Sequence, residues 1–398
     1  MKLIVFAHRL ELGETQIDAI EMAAALCDRH GFDVVLHAAP GPALEQANAR
    51  GLRYAPAPDV RLSPTIARMR ALRDLVRREE PDLIHAWDWW QGLEAYIGTH
   101  LTMGVPLVIS DMMMSLTGAL PRDVPTTFGF PAQQELAQAR GWRRTDLLPS
   151  PVNLVANAPN AVDAAQFRRL HDIALNDILL VSVSRPSAEM GSDALIRAIR
   201  AVRHMGTALP LRLLLIGDGP ARTQLRALAD EANEHLGRLA VILTGPMADP
   251  RPAYAASDVV LGMGASALRG LAFAKPVIVV GGQGFARIFD SESAPIFLRS
   301  GLFGKRASGT DNHPMADAIG KLAWDPELRR HLADTGLDFV TRHHGLDMVT
   351  DRFAQFCHEA VTHRNGRSGT FWPLCRTAFF YLRERRFRVA ARDTLGKV

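Results

Sequence analysis

Residues Val241–Phe285 read VILTGPMADPRPAYAASDVVLGMGASALRGLAFAKPVIVVGGQGF. The apolar run Val241–Thr244 predicts a buried strand, a helix follows through Tyr254, and Asp258–Leu261 predicts a short second strand. The turn Gly262-Met263-Gly264 opens a helix over Ser266–Ala274, which Lys275-Pro276 closes. The strand Val277–Val280 then runs into Gly281, Gly282 and Gly284. Strands that end in glycine-bearing turns and alternate with helices are the sequence form of a parallel α/β sheet. Ligands of such sheets sit at the carboxyl ends of the strands. Gly264 followed by Ser266 at a helix start offers backbone N–H groups as an anion seat. The stretch therefore predicts a phosphate-bearing ligand.

The same pattern extends to both sides. Upstream, Ile178–Ser184 predicts a strand, Ser192–Met205 a helix, and Leu211–Ile216 a strand ending in Gly217-Asp218-Gly219-Pro220, with a helix over Ala221–Leu236. An earlier series begins with the strand Leu3–Ala7, the loop His8–Gly13 and a helix opened by Glu14-Thr15-Gln16. It continues through strands at Asp33–His37, Leu83–Trp87 and Val105–Ser110, with an amphipathic helix over Thr65–Arg78. Met112–Gly141, with Pro121, Pro125, Gly129 and Pro131, reads as loops over a cleft. Ala158–Asp163 reads as a seam, and Leu332–His363 as a helical stretch that crosses back to the first half. The expected domains are 1–160, 161–340, and a crossover helix with a basic aromatic tail over 341–398.

A chain of 398 residues exceeds one ordinary core and fits two domains. Cys27, Cys357 and Cys375 are few, odd in number and far apart, which indicates neither a disulfide framework nor a zinc site. Met1–Ala7 is too short for a signal segment and is broken by His8-Arg9, and no apolar run is long enough to span a bilayer. The expectation is a cytoplasmic protein. Residues 366–398 hold eight basic side chains against Glu384 and Asp393, a net of +6, while the whole chain is +4. The body is thus slightly acidic and argues against a nucleic-acid face.

Several of these residues, in this order, resemble the family 4 glycosyltransferases of the GT-B fold. Gly13-Glu14-Thr15-Gln16 follows the first strand, and Pro159-Asn160-Ala161-Val162-Asp163 resembles that family's inter-domain Pro-Asn-Gly-Val-Asp. Val183-Ser184-Arg185 resembles its Val-Gly-Arg strand end, Gly217-Asp218-Gly219-Pro220 its Gly-Asp-Gly-Pro turn, and Tyr254-Ala255-Ala256-Ser257-Asp258 its Tyr-Ala-x-Ala-Asp element. The resemblance covers roughly residues 1–360. It implies an α/β protein of two Rossmann-like domains facing each other across a cleft, the second holding a nucleotide-diphosphate sugar. It further implies hexosyl transfer in polysaccharide or glycoconjugate biosynthesis, with retention and without a metal or other cofactor. The chain departs from the family at the donor site. No lysine follows Arg185 within Arg185–Gly191, and the family's two glutamates, eight residues apart, fall at Leu261 and Arg269. Guanidinium offers donors only, so Arg269 cannot take over a ribose-binding carboxylate. It can supply charge to phosphate oxygens in the lysine's place.

The donor-side candidates are Gly13, Glu14, Arg185, Gly217, Asp218, Gly264, Ser266, Arg269 and Gly282. Each has a plain structural reading beside it: a helix start for Gly13 and Glu14, a turn for Gly217, Asp218 and Gly282, a surface ion pair for Arg185 or Arg269. Trp87, Asp88 and Trp89 read either as a sugar-stacking platform with a polar orienter or as packing of the core. Asp111 with Arg185 forms the catalytic candidate set, Asp111 orienting the acceptor and Arg185 stabilising the leaving diphosphate. His85 within its strand reads as a core histidine, and His343-His344 are too isolated for metal ligands. The acceptor is a sugar, a lipid-linked molecule or a small molecule. The tail reads as a peripheral membrane contact, a partner helix, or a cover over the first domain. The rival function is a catalytically degenerate GT-B protein serving as partner subunit of an active transferase. A nucleotide-sugar epimerase would call for paired acids and histidines beyond Asp111. The oligomeric state is not legible.

Overall fold

The structure, a computed structural model, describes residues 1–11, 13–60, 64–113, 115–184, 192–305, 313–362 and 372–383. The chain divides into two compact units, one comprising Met1–Pro151 and the chain from Leu346 onward, the other Val152–Gly345.

The first unit is built on strands β1 (Lys2–Phe6), β2 (Asp33–Ala38), β3 (Arg53–Pro56), β4 (Leu83–Trp87), β5 (Leu107–Asp111), β6 (Thr126–Phe128) and β7 (Thr145–Leu147). They form one parallel sheet in the order β3-β2-β1-β4-β5-β6-β7. Alternation along β1 divides the core: Leu3 and Val5 face the helices Glu14–His30 and Leu346–Thr362, while Ile4 and Phe6 face Ile66–Glu79 and Trp89–Ala95. Both faces are covered, so β1, β4 and β5 carry nearly continuous apolar runs. A helix over residues 372–383 packs against the second of these clusters through Leu374, Phe380 and Tyr381.

The second unit repeats the plan with β8 (Ile178–Val183), β9 (Leu211–Ile216), β10 (Val241–Gly245), β11 (Val259–Gly262), β12 (Val277–Gly282), β13 (Ala286–Ile288) and β14 (Gly304–Lys305). The sheet order is β10-β9-β8-β11-β12-β13, with β14 beside β12, and β13 is the antiparallel member. Leu213 and Leu215 pack on one face with the helices Ser192–Met205 and Arg222–Leu236, and Leu214 and Ile216 on the other. Both units are Rossmann-like. Their strand orders reverse between β1 and β4 and between β8 and β11, which marks two topological switch points.

Three boundaries differ from the sequence reading. Met112–Gly141 contains β6 and the helix Pro131–Ala139. A three-residue strand carries too little periodicity to show itself, although Pro131 is a good first helical residue. The single crossover helix is two, Pro326–His344 and Leu346–Thr362. Val152 donates its N–H to the His344 carbonyl at 2.7 Å and bridges Gly345, which interrupts the helical ladder there. The units consequently divide at Pro151 and Gly345, rather than at 160 and 340.

Candidate active site

The carboxyl edge of the second sheet is where the glycine turns gather. Gly217 ends β9 with φ of +132°, and a Cβ there would lie 1.9 Å from the Ser184 carbonyl oxygen. Only glycine permits that approach. Gly217 thus sets the end of β9 directly against Ser184, the last described residue before Arg185. Arg185, the leading candidate for the donor phosphate, lies outside the described residues. Asp218 is an exposed turn residue, its Oδ1 accepting the Gly219 N–H at 2.9 Å and its Oδ2 lying 3.3 Å from Arg222 Nη1.

The sequence reading does not single out Arg222. It opens the helix after the Gly-Asp-Gly-Pro turn, lies beside Gly245 at the end of β10, and lines a small cavity with Ser184 and Gly217. A cation at three neighbouring strand ends is chemically suited to an anionic ligand. Its spacing from the glycine turn was the available signal.

Two donor candidates are corrected. Gly264 does begin a helix, Gly264–Ala272, but its N–H donates to the Leu302 carbonyl at 2.7 Å. Ser266 Oγ accepts the Met263 N–H at 3.2 Å and donates to the Met263 carbonyl at 3.1 Å. The hydroxyl closes the first turn, and this end of the helix is less open to an anion than the sequence suggested. Arg269 stands half-buried in the last turn of the same helix. Leu261, where the family carries a glutamate, is 1% exposed in β11 and belongs to the core. Gly282 ends β12, pairs with Lys305, and accepts the Phe285 N–H through its carbonyl. The turn beyond it is held by Asp193, whose Oδ2 accepts the Gly284 N–H at 2.9 Å while both its oxygens accept Arg197 Nε at 3.0 Å.

At the carboxyl edge of the first sheet, register brings β1 and β4 out side by side, Phe6 opposite Ala86, so that His8 and Asp88 follow at matching positions. Asp88 is half-buried with φ of +90° and ψ of 155°, a conformation that ordinarily needs glycine. Its Oδ1 accepts the Trp89 N–H at 2.7 Å and its own N–H reaches the Ser110 carbonyl, and these contacts hold the strained turn. The sequence placed Asp88 here but passed over His8, a histidine immediately beyond an apolar strand. The loop that follows is pinned through Leu10, which exchanges backbone bonds with Ala39 and Ala43. Gly13 has ordinary extended backbone at φ of −112°, so its conformation does not demand glycine; the side chain of Glu14 is outside the described residues.

The acceptor candidates Trp87 and Trp89 are corrected. They are 3% and 1% exposed and pack into the two faces of the core. Trp89 stacks on Trp90 at 3.8 Å, so its ring is committed to an indole rather than to a sugar. Asp111 is corrected too. It is fully buried, accepts the Gln133 amide at 3.1 Å and the Met113 N–H at 3.3 Å, and cannot meet an acceptor directly. Burial, with Asp88 nearby, raises its pKa well above the usual carboxylate range. His85 is a core residue, 2.7 Å from Ser110 Oγ, and burial lowers its pKa to about 3. No cluster of metal-ligating side chains occurs among the described residues. An open groove at His30, Asp351 and His358 lies on the helices at the opposite end of the first sheet, away from that sheet's switch point.

Two Rossmann-like units in one chain, each with its switch point at the strand carboxyl ends, define the GT-B class. The family comparisons agree: residues 18–111 match the model of Glycosyltransferase Family 4, and residues 177–325 that of Glycosyl transferases group 1. The lipopolysaccharide core biosynthesis glycosyltransferase LpsD of Rhizobium meliloti is 24% identical over 309 residues, 73% of this chain and 79% of LpsD. Anabaena HepE in complex with UDP-glucose superposes with a TM-score of 0.71 at 16% identity, over 90% of this chain and 100% of that one. Sucrose-phosphate synthase of Thermosynechococcus elongatus does so with a TM-score of 0.64 at 16% identity, over 90% and 99%. The chain belongs to the family 4 glycosyltransferases. Its activity is glycosyl transfer.

Proposed function

We propose that the second unit binds a nucleotide-diphosphate sugar and that the enzyme transfers the hexose with retention, without a metal. The observation that carries the donor reading is the strand edge at Ser184, Gly217 and Gly245, where glycines clear the backbone and Arg222 supplies positive charge. HepE, a protein of this fold, is described in complex with UDP and with UDP-glucose, which supports a nucleotide sugar as the class of donor. Arg185, Arg222 and Arg269 carry the diphosphate charge, which is the work a divalent cation does elsewhere. Asp111 is enclosed against Gln133 and Met113 and does not serve as general base in this reading; the leaving phosphate takes the acceptor proton on the face it departs from, and the sugar keeps its configuration. Asp88 and His8 orient the acceptor from the first unit.

The absence of the glutamates at Leu261 and Arg269 favours a second reading, a partner subunit without catalysis. Calorimetric titration with UDP, GDP and dTDP separates the two. One nucleotide binds wild type, and Arg269→Ala weakens it by at least about tenfold, the value of one charge-assisted phosphate contact. No binding by any of the three would overturn the donor site and leave the partner subunit.

A further inference from the structure

We propose that Arg122, Arg140 and Arg376 form an anion site at the amino edge of the first sheet, suited to the phosphoryl group of a soluble molecule. The site is independent of the donor chemistry. It lies where β6 and β7 begin, at the opposite end of the sheet from Asp88. Arg122 precedes β6, and Arg140 follows the last turn of the helix Pro131–Ala139. Arg376 comes from the helix over 372–383, on the face that packs against the unit. Trp142 stands between them, 2% exposed, its Nε1–H donated to the Pro121 carbonyl at 3.0 Å. The Arg122 guanidinium lies 4.7 Å from the centre of the indole and that of Arg376 5.2 Å, with the Phe380 ring 4.8 Å from Arg376.

Among the described residues no carboxylate pairs with any of the three arginines, and the buried Arg122 Nε has no hydrogen-bond partner. The charges that act on them are each other's. Burial, then the charges of Arg122 and Arg140, lower the Arg376 pKa to about 10; burial, then Arg140, lower that of Arg122. Cations that disfavour one another favour an anion among them. Donors for it are at hand. Stacking on an aromatic ring occupies the face of a guanidinium and leaves its in-plane N–H groups to other partners. Arg376 gives one to the Leu120 carbonyl at 3.4 Å. Arg122 Nη1 lies beside Gly141, 3.5 Å from where a Cβ would stand, so the missing side chain leaves this edge of the fork clear. Guanidinium forks match phosphate oxygens in pairs, and a phosphoryl group brings more charge than a carboxylate. The end of the helix Pro131–Ala139 adds about half a negative charge, which three guanidiniums outweigh. An anion seated here relieves the repulsion between Arg376 and the other two arginines, and so fastens the helix over 372–383 to the unit.

The test is thermal unfolding of the full chain in inorganic phosphate, with sodium chloride holding the ionic strength constant so that screening does not vary. The wild-type midpoint rises with phosphate, because the ligand binds the folded state. Arg140→Gln and Arg376→Gln each move that dependence to phosphate concentrations at least about tenfold higher, the value of one charge-assisted contact. Arg140 is exposed, so Arg140→Gln keeps the wild-type circular dichroism and reports binding rather than folding. Arg222→Gln keeps the wild-type response, which separates this site from the donor edge. Glucose 6-phosphate tells the two sources of the group apart: a response at lower concentration than inorganic phosphate identifies a phosphorylated metabolite, and an equal or weaker one the free ion. Three outcomes would overturn the proposal: a midpoint that follows ionic strength alone, both glutamine variants responding like wild type, or a response lost in Arg222→Gln and kept in the other two.

Discussion

At Gly217 a single hydrogen in place of a methyl group decides whether β9 can end beside β8. Its φ is +132°, and a Cβ at this position would stand 1.9 Å from the Ser184 carbonyl oxygen, which leaves no room for a side chain. Gly217→Ala is expected to destabilise the second unit by about 2–4 kcal/mol through backbone strain and displacement of Ser184. Urea unfolding measures the first effect and nucleotide titration the second. A variant with wild-type midpoint and affinity would show that the turn relaxes freely. The glycine was visible in sequence because a Gly-Asp-Gly-Pro turn ends an apolar run. Arg222 was not, because nothing local distinguishes a helix-opening arginine on the surface from one that lines the strand edge. Asp111 and the two tryptophans went astray for a related reason: a strand end marks the edge of a sheet, but β6 and the helix Pro131–Ala139 bury Asp111 from the side.

Between elements, the buried pair Arg68 and Glu94 couples the helix Ile66–Glu79 to the helix Trp89–Ala95, with side chains 1% and 0% exposed. Arg68 Nε lies 3.3 Å from Glu94 Oε2, and Arg68 Nη2 donates to the Ala7 carbonyl at 3.1 Å. Glu94 Oε1 accepts the Thr65 N–H at 2.9 Å. The pair therefore fastens both helices to the carboxyl end of β1, next to His8. Burial lowers the Arg68 pKa and raises that of Glu94, so each charge depends on the other for its place in the interior. Arg68→Met alone is expected to cost about 3–5 kcal/mol, because Glu94 is left charged and unmatched, while Arg68→Met/Glu94→Leu recovers most of the loss. Chemical denaturation followed by Trp emission reads this unit, which holds Trp87, Trp89, Trp90 and Trp142. A double variant no better than the single one would show that the helices do not depend on the pair as a pair. The helix Ile66–Glu79 was legible in the sequence from its 3.6-residue periodicity; the helix Trp89–Ala95, and the meeting of an arginine and a glutamate 26 positions apart, were not.

For the molecule as a whole, two buried histidines tie stability to pH. His85 and His37 are each 1% exposed, and burial lowers their pKa values to about 3 and about 4 from the ordinary 6.5. Both stay neutral in the folded protein, while the unfolded chain takes up protons below pH 6.5. Stability is therefore intact above pH 6.5 and falls as the pH drops, towards about 4 for His37 and about 3 for His85. Each contributes a slope of up to about 1.4 kcal/mol per pH unit in that window. Unfolding midpoints measured from pH 7 to pH 5 should fall in wild type and fall less steeply in His37→Gln and His85→Gln. An unchanged slope in both variants would mean that other groups govern acid unfolding.

The sequence by itself determined the two α/β halves and the family, because strand and helix periods, glycine turns and their order are local patterns that survive in one dimension. It also placed Gly217, Asp218, Gly282 and Asp88 at strand ends, since a strand's end is a local event. Tertiary structure decided which of those ends remain open. Whether Trp89 stacks on a ligand or on Trp90, whether Ser266 binds phosphate or closes its own turn, and whether Asp111 meets solvent all depend on which neighbours reach the same space. Those neighbours come from distant parts of the chain, and burial is a property of the packed whole.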